Sequence, residues 1–415
     1  MFEKLFTDSV TIARYRDAPL LEERLRYLSF WFESGAVRGT LRRIAADQMS
    51  LVRLLDLREG VRVNVAGVEA AAGRWSRPGV RRCPKPALPT ARRRFIGRAV
   101  RWLRFVDMLE ESRKARHAHT HEVAAFEAWM RDERGWADET IRGCCNTLDR
   151  FFDWLDGRGV ALASLGIAEI DEALARHHAR GCSRVTIHNY AQRLRGFLRF
   201  AERRGWCVAG LADAIMPPRR HRGETIPKGL TRDEVIRLLA TTEGDRPSDL
   251  RDRAILMALI TYGLRAGEVA GLRLDDLDWD EEMLRVRCPK PGRTHLYPLS
   301  HGFGRAVLRY LREVRPARPD RELFLTLKAP IKPVGRSTVK GLVRARLDVL
   351  GITGKRLGPH ALRHAAAQHL LDRGLSMKAV GDYLGHRTLA ATSVYARVRL
   401  EALREVAAID LGGLI

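Results

Sequence analysis

Two histidines, an arginine and a tyrosine are spaced along the stretch 357–398, near the end of the 415-residue chain, in an order that chemistry explains better than core packing. They are His360, Arg363, His386 and Tyr395. A lone histidine or arginine on a helix is more often structural, and a lone tyrosine is usually a core residue with a satisfied hydroxyl. Four such groups are less easily explained by packing, because together they can bind an anion, move protons and supply a nucleophile.

Local signals predict how the first part of this stretch is positioned. Pro359 suits a first helical turn and Gly374 suits a helix end, so one helix is expected between them. His360, Arg363 and His364 would then share a face at i, i+3 and i+4. This helix therefore presents three polar side chains together, and we interpret His364 as a packing or supporting group.

The second part is predicted to hold two more short helices. Ser376 and Gly385 bracket a helix over 377–384, which would place His386 at its C-terminal exit. Tyr395 follows nine residues later in a third short helical pattern. All four polar groups are thus expected on short helices or at their ends.

Composition indicates a folded protein with a strongly positive surface. Lysine and arginine number 74 against 50 acidic residues, a formal charge of +24, while 45% of residues are apolar. A disordered basic tail would lack that apolar content, so a polyanion is the expected partner and nucleic acid the leading one. No membrane partner is expected, because no window approaches the roughly 18 apolar residues of a spanning helix and the start lacks a signal-like run.

Cysteine and histidine usage argues against structural metals or disulfides. The six cysteines, at positions 83, 144, 145, 182, 207 and 288, form neither a disulfide framework nor paired zinc motifs. This usage fits a reducing, cytoplasmic compartment. The cluster 117–121 (His-Ala-His-Thr-His) has no matching ligand set nearby, so we interpret it as a polar linker and expect no metal.

The chain is long enough for about three domains. Residues 1–112 are predicted to be a mostly helical N-terminal domain, with amphipathic helices over 40–55 and 95–109 and a Pro-rich basic break over 77–89 between them. This domain could contact DNA or a partner protein. A solvated basic face on a helical bundle explains the same pattern equally well.

Residues 119–207 are predicted to form a four-helix unit. An offset of 46 residues aligns 140–159 with 186–205, including apolar matches at helical spacing. Any two amphipathic helices can align this well, and the four-helix prediction does not depend on the repeat. The outward-facing candidates are Arg142, Arg150, Arg184, Arg195 and Arg199, of which Arg184 and Arg195 are our DNA-binding candidates.

A basic linker, 208–228, follows, rich in proline, glycine and charge. We expect three of its arginines to contact DNA, namely Arg219, Arg220 and Arg222.

A further domain, 229–400, is predicted after the linker. It opens on the capping-box spacing Thr231-Arg-Asp-Glu234. A helix pattern covers 251–272, and strand-like runs at 284–287 and 294–299 flank a turn with Lys290 at its tip. Helices are also expected from Phe303 and from Thr338. The tail, 401–415, has apolar spacing suited to docking on a neighbouring protomer or on its own domain.

The motif order across 229–400 resembles the tyrosine recombinase, or phage-type integrase, family. That family has an arginine on a helix, a lysine on a β-hairpin, then H-x-x-R, G-H and a tyrosine. These fall on the residues Arg265, Lys290, His360, Arg363, His386 and Tyr395. The resemblance implies a mainly α multidomain protein: an added helical N-terminal domain, as in transposon- or phage-associated members, a core-binding domain over 119–207, and an α-rich catalytic domain with a small sheet.

The resemblance also implies a role for each group. Arg265 and Arg363 would clamp a phosphate whose charge grows in the transition state, since fixed cations favour that state. Tyr395 would attack phosphorus to give a 3′-phosphotyrosine, so neither a metal nor a nucleotide cofactor is expected. His360 would be the base and His386 a donor to a nonbridging oxygen.

Lys290 would protonate the departing 5′ oxygen. Glu268, one turn after Arg265, would hold an active-site side chain in place. A plain salt bridge within the helix explains the position of Glu268 nearly as well. The sequence departs from the family here, because Lys290 lies in Cys-Pro-Lys-Pro-Gly where the family usually has Gly-Lys-Gly. Prolines stiffen the turn and remove donors. His295 is therefore an alternative acid, whereas Arg293 is not, because its proton is not transferable near neutral pH.

The implied function is a site-specific recombinase of a mobile element, acting in integration or transposition within a bacterial, nucleoid-associated setting. Its implied partners are double-stranded DNA and further copies of the same chain, which would form a dimer on one site and a tetramer on two duplexes. Co-encoded recombinases are further possible partners. Two alternatives stay open: a DNA-binding accessory protein without catalysis, and a type IB topoisomerase-like activity.

Overall fold

The computed structural model describes residues 1–75, 89–110, 117–218, 229–287, 294–353 and 357–385. The chain forms two compact units, one comprising Met1–Glu110 with Thr225–Ile415 and the other Glu111–Glu224. The architecture is mainly helical with small sheets, as the sequence predicted. Across the described residues, no helix is both long and apolar enough to cross a membrane.

The N-terminal part of the first unit is a helical bundle. Its elements are α1 (Phe2–Leu5), α2 (Ser9–Asp17), α3 (Leu21–Glu33), α4 (Arg38–Leu55), β1 (Val63–Asn64), α5 (Val65–Trp75), α6 (Pro89–Phe105) and β2 (Leu109–Glu110). The two short strands pair in parallel. The helices predicted over 40–55 and 95–109 correspond to α4 and α6, and the second of them ends at Phe105 because the chain turns into β2.

The second unit contains the predicted four helices. They are α7 (Thr120–Asp132), α8 (Asp138–Asp156), α9 (Ile167–Ala179) and α10 (Arg184–Glu202), followed by the short α11 (Leu211–Ala214). Helices α8 and α10 are each 19 residues long and begin 46 residues apart, which matches the internal alignment. Gly159 and Gly205 follow them with φ of +67° and +68°, a conformation that glycine adopts without strain.

The cluster 117–121 is not a polar linker, so that prediction is wrong. His117 and His119 are buried at the start of the second unit. The Nε2 atom of His117 lies 3.3 Å from Oδ1 of Asp149, and the ring of His119 packs 4.7 Å from that of Phe152. The histidines therefore join the unit's core, because α8 offers both an acceptor and an apolar ring beside them.

The remaining part of the first unit is a helical domain with a three-stranded sheet. Its elements are α12 (Arg232–Ala240), α13 (Pro247–Thr261), α14 (Ala266–Ala270), β3 (Leu277–Asp278), β4 (Met283–Arg287), β5 (Thr294–Pro298), α15 (His301–Glu313), α16 (Arg336–Val349), α17 (Pro359–Asp372) and α18 (Met377–Tyr383). The strands run antiparallel in the order β3-β4-β5. Helix α13 has more than half of its residues buried, packs on α15 and α17, and forms the centre of this core.

Among the described residues of this domain, the local predictions hold with one exception, whereas the predicted turn at Lys290 and the short helix at Tyr395 lie outside them. The capping box before α12 is formed, with Thr231 Oγ1 accepting from the Glu234 N–H and Glu234 Oε2 accepting from the Thr231 N–H. The hairpin strands β4 and β5 match the predicted runs. The helix pattern over 251–272 is broken in the structure, because α13 ends at Thr261 and α14 starts at Ala266.

The N-terminal bundle is attached to the segment between α15 and α16. The Ile331 N–H donates to the Ser34 carbonyl at 2.9 Å, and Arg318 Nη1 donates to the Glu33 carbonyl at 3.1 Å. Gly35 meets the same segment so closely that an added Cβ would lie 2.7 Å from Cδ1 of Ile331. These contacts explain why residues 1–110 belong to the same compact unit.

Candidate active site

The break between α13 and α14 lets two distant parts of the chain meet. Gly263 sits in it with φ of +60°, and an added Cβ would lie 2.5 Å from Cδ2 of Leu384. Both the backbone conformation and the close approach require glycine at this position. The end of α18, which leads to His386, is therefore packed against the end of α13.

Arg265 begins α14 as its N-cap residue rather than lying inside a helix. Its backbone N–H donates to Glu268 Oε2 at 2.7 Å and its Nη1 donates to Glu268 Oε1 at 2.6 Å. The Glu268 side chain is 4% exposed, whereas that of Arg265 is 44% exposed. One buried carboxylate thus fixes both the backbone and the guanidinium of Arg265 while leaving that side chain accessible.

Arg363 is buried on α17 at the junction of the same elements. Its Nη1 donates to the Gly263 carbonyl at 2.7 Å, and its Nη2 donates to the Leu384 carbonyl at 2.5 Å. Bonds of this kind, from a charged donor, are among the stronger hydrogen bonds in proteins. Arg363 consequently joins the break before α14 to the end of α18, one residue before Gly385.

His360 lies one turn before Arg363 on α17, as the spacing predicted. Burial lowers the pKa of His360, although the residue keeps an exposed edge, and the positive charges of Arg363 and Arg265 lower it further. A neutral imidazole is therefore favoured near pH 7. The His364 ring lies 4.5 Å from that of His360 in an edge-on arrangement, and Gly229 packs against His364 Cβ.

Sequence reasoning missed three tyrosines that hold these elements together. The Tyr297 hydroxyl on β5 donates to the Tyr383 carbonyl at 2.7 Å, and the Tyr383 hydroxyl donates to the Thr261 carbonyl at 2.9 Å. Tyr262 donates to the Pro298 carbonyl at 3.1 Å. Tyr297 occupies the buried position of β5, and no local signal in the sequence indicated its partners.

The same strand brings His295 against the end of α18. An added Cβ on Gly385 would lie 2.6 Å from His295 Nε2, and Gly385 has φ of +63°. The imidazole therefore lies beside the residue that precedes His386. The structure thereby places the alternative acid near the predicted site.

Several predicted residues lie outside the described part of the chain. They are Lys290, His386, Tyr395, Arg219, Arg220 and Arg222, together with the tail 401–415. Arg265, Glu268, His360, Arg363 and His364 are described and are brought together as above.

The two DNA-binding candidates of the second unit differ in their surroundings. Arg184 is exposed at the first turn of α10, just after the capping Ser183. Arg195 is 26% exposed, and its Nη2 lies 3.7 Å from Oδ1 of Asp213, which also accepts a hydrogen bond from Arg199. Arg195 is therefore partly neutralised by a carboxylate, a pairing that spacing along the helix did not indicate.

A more concentrated positive surface lies between α8, α9 and α10. It borders a cavity of about 530 Å³, and we call its cationic members the unit-two arginines: Arg150, Arg176, Arg180 and Arg193. Burial lowers the pKa of His177 in the same cavity, and the charges of Arg180, Arg176 and Arg150 lower it further. Sequence analysis named Arg150 only as an outward candidate and did not group it with the others.

Two arginines, Arg265 and Arg363, are held at one junction of a mainly helical domain, an arrangement suited to binding a phosphate. Residues 228–401 match the phage integrase family, and residues 123–205 match the phage integrase N-terminal SAM-like domain. The chain is 37% identical over 288 residues to "Putative integrase/recombinase y4rA" of Sinorhizobium fredii, covering 69% of each chain. It is 34% identical to tyrosine recombinase XerD of Pseudomonas aeruginosa, covering 66% of this chain and 92% of that one.

Solved structures agree on the fold. The XerH site-specific recombinase bound to a difH substrate has a TM-score of 0.57 at 18% identity, over 69% of this chain and 84% of that chain. The Tn1549 transposon integrase in complex with circular-intermediate DNA has a TM-score of 0.51 at 21% identity, over 67% of this chain and 98% of that chain. The chain belongs to the phage integrase family of tyrosine recombinases. It is accordingly a DNA-binding enzyme of site-specific recombination, which cleaves and rejoins DNA strands.

Proposed function

We propose that this recombinase cleaves DNA through attack of Tyr395 on a phosphodiester, forming a 3′-phosphotyrosine that a free 5′ hydroxyl later resolves. The covalent link conserves the bond energy, so the reaction proceeds without ATP, and cationic side chains take the place of a metal. The biological setting is integration or transposition of a mobile element, which fits the integrase/recombinase naming of a 37% identical relative.

The observation that carries the proposal is the meeting of Arg265, His360 and Arg363 at one junction. The charges of both arginines act on the His360 imidazole, so all three lie within electrostatic reach of one another. Two guanidiniums can stabilise the charge that develops on a phosphate, and a neutral imidazole can accept the tyrosine proton. Tethering by Glu268 and by backbone carbonyls pre-organises the cations.

The remaining roles concern proton transfer at the other oxygens. His386 donates to a nonbridging oxygen, and Lys290 protonates the departing 5′ oxygen. His295 is the alternative proton donor, because it lies beside Gly385, the residue that precedes His386.

Duplex DNA is the proposed substrate, held by Arg184, Arg195 and the linker arginines Arg219, Arg220 and Arg222, with the unit-two arginines as a further phosphate-binding surface. We propose a dimer on one site and a tetramer on two duplexes, with co-encoded recombinases as possible partners. Most of these contacts neutralise phosphates, so affinity depends steeply on salt.

A nicked suicide duplex tests the mechanism. The recognition site is first recovered by selecting bound duplexes from a random pool, and the nick is then placed so that the released fragment diffuses away. We expect a denaturation-resistant protein–DNA adduct that Tyr395→Phe abolishes without loss of binding. Tight binding with no adduct would support the accessory-protein alternative, and relaxation of supercoiled plasmid without recombination would support topoisomerase-like activity.

A further inference from the structure

A cavity of about 1000 Å³ lies in the N-terminal bundle where it meets residues 327–329. Four aromatic side chains line it: Tyr27, Trp31, Trp75 and Trp102. Trp102 is fully buried, and Trp75 stacks on Phe95 at 4.8 Å. Aromatic walls of this kind accept flat, apolar surfaces.

The charge around this cavity is strongly positive. Six cationic side chains are among the described residues that line it: Arg43, Arg93, Arg94, Arg98, Arg101 and Lys328. Among the same described residues, Asp47 is the one carboxylate in the lining, and its Oδ2 lies 2.8 Å from Arg98 Nη1. An anionic ligand would therefore meet cations that the protein itself leaves largely uncompensated.

Three buried polar atoms in the cavity wall, outside the Asp47–Arg98 ion pair, add hydrogen-bonding capacity. Gln48 Oε1, Trp31 Nε1 and Trp102 Nε1 have no hydrogen-bond partner within the described part of the chain. The Gln48 amide is oriented by its Nε2, which donates to the Arg24 carbonyl at 3.3 Å, so its oxygen is the unpaired atom. Leaving buried polar groups unpaired is unfavourable. A small adjustment of the wall would offer two donors and one acceptor to a ligand.

We propose that this cavity binds single-stranded DNA, with a base between the aromatic side chains and the flanking phosphates on the arginine rim. Base stacking on aromatic residues combined with a positive groove is how proteins hold single strands without sequence preference. A nucleobase edge presents both an acceptor and a donor for Gln48 and Trp102, and its flat face can stack on the aromatic walls, which the side chain of an aspartate or glutamate cannot do. The inference rests on the proposed function, because strand cleavage is what exposes unpaired nucleotides.

The test measures binding of a fluorescein-labelled 12-nucleotide single strand to the full-length protein by anisotropy at several salt concentrations. Arg94→Ala with Arg101→Ala removes two rim cations from exposed positions of α6. We expect about tenfold weaker binding and a salt slope shallower by about 1.4, since each phosphate contact on a single strand contributes about 0.7. The matched control, Arg53→Ala with Arg58→Ala, removes the same charge from exposed positions that do not line the cavity.

Trp102→Phe tests the base contact itself, because it deletes the indole N–H while keeping an aromatic ring. We expect several-fold weaker binding, with Trp136→Phe in the second unit as the control. Equal losses of single-strand affinity in the rim pair and the control pair would overturn the proposal, because binding would then depend on total positive charge rather than on this cavity. Full displacement of the strand by polyglutamate at matched charge would instead indicate an acidic protein partner.

The suicide-duplex adduct is measured on the same variants. Wild-type protein that forms the adduct but binds no single strand would refute this inference and leave the proposed function intact. Absence of the adduct in wild type would refute the proposed function independently.

Discussion

Two sets of arginines in this recombinase are held in opposite ways. Arg265 and Arg363 are tied to a buried carboxylate and to backbone carbonyls at the junction of α13, α14, α17 and α18. In the second unit, Arg150 and Arg180 are exposed on the cavity between α8, α9 and α10. This difference agrees with the proposal that the first set is fixed to act on one phosphate, whereas the second set provides a positive surface for many phosphates.

Replacing a tethered arginine should have the largest effect. Arg363→Ala removes a cation and also the bridge between Gly263 and Leu384. We expect cleavage to slow by about 10³-fold, the scale of losing one transition-state donor, and Arg363→Lys to rescue little of it because lysine cannot bridge two acceptors in the same way. Single-turnover adduct formation on the suicide duplex measures the loss.

Arg344→Ala is the matched control, since it removes an arginine that pairs with Asp348 on the surface of α16. A similar slowing in both variants would show that tethering at the junction is unimportant.

Loosening the tether without removing the cation should have a smaller effect. Glu268→Gln retains an acceptor for the Arg265 backbone but weakens the charged bond to its guanidinium. We expect cleavage to fall by about 10- to 10²-fold, because small misplacements of a catalytic group cost up to about that much, with DNA affinity unchanged. Glu234→Gln, which alters the α12 capping box alone, is the control; matching rates for the two variants would contradict a positioning role.

The pH dependence of cleavage tests whether the charges of Arg265 and Arg363 lower the pKa of His360. Burial, Arg363 and Arg265 lower its pKa below 6.5, so the imidazole stays neutral and able to accept a proton as pH falls to that value. We expect the single-turnover rate to be level from pH 8 to 6.5 and to decline below it, by less than about tenfold at pH 6. In Arg265→Gln the decline should begin at a higher pH, and an unchanged profile would argue against His360 as the base.

The lowered pKa of His360 also makes the stability of the folded protein depend on pH. Because the folded pKa lies below the unfolded value, the contribution of His360 to stability is complete above pH 6.5 and is lost as pH falls through that value toward the folded pKa.

The exposed arginines should give the smallest effect. Arg150→Ala with Arg180→Ala is expected to weaken duplex binding by a few-fold and to reduce the salt slope by about 1.8, since each phosphate contact on a duplex contributes about 0.9. The cleavage rate at saturating DNA should not change. Arg131→Ala with Arg134→Ala, at exposed positions in the last turn of α7 and just after it, controls for net charge. A lower cleavage rate at saturating DNA would contradict the distinction between the two sets of arginines.

Much of the local structure could be predicted from sequence. The helices expected from Pro359 to Gly374 and over 377–384 are Pro359–Asp372 and Met377–Tyr383, because proline, serine and glycine mark helix ends locally. The spacing of Arg265 and Glu268 likewise indicated their contact. The break at Gly263 was not predicted, because an apolar pattern continues across it and its cause, the approach of Leu384, lies 121 positions later in the chain.

By itself, the sequence determined the chemical inventory and the short helices that carry it, since both depend on neighbours within a turn or two. Only the tertiary structure decided which groups meet. Arg363 donates to carbonyls 100 residues before it and 21 residues after it, and the N-terminal bundle bonds to residue 331 through Ser34. Such contacts depend on how whole elements pack, which residue spacing along the chain does not report.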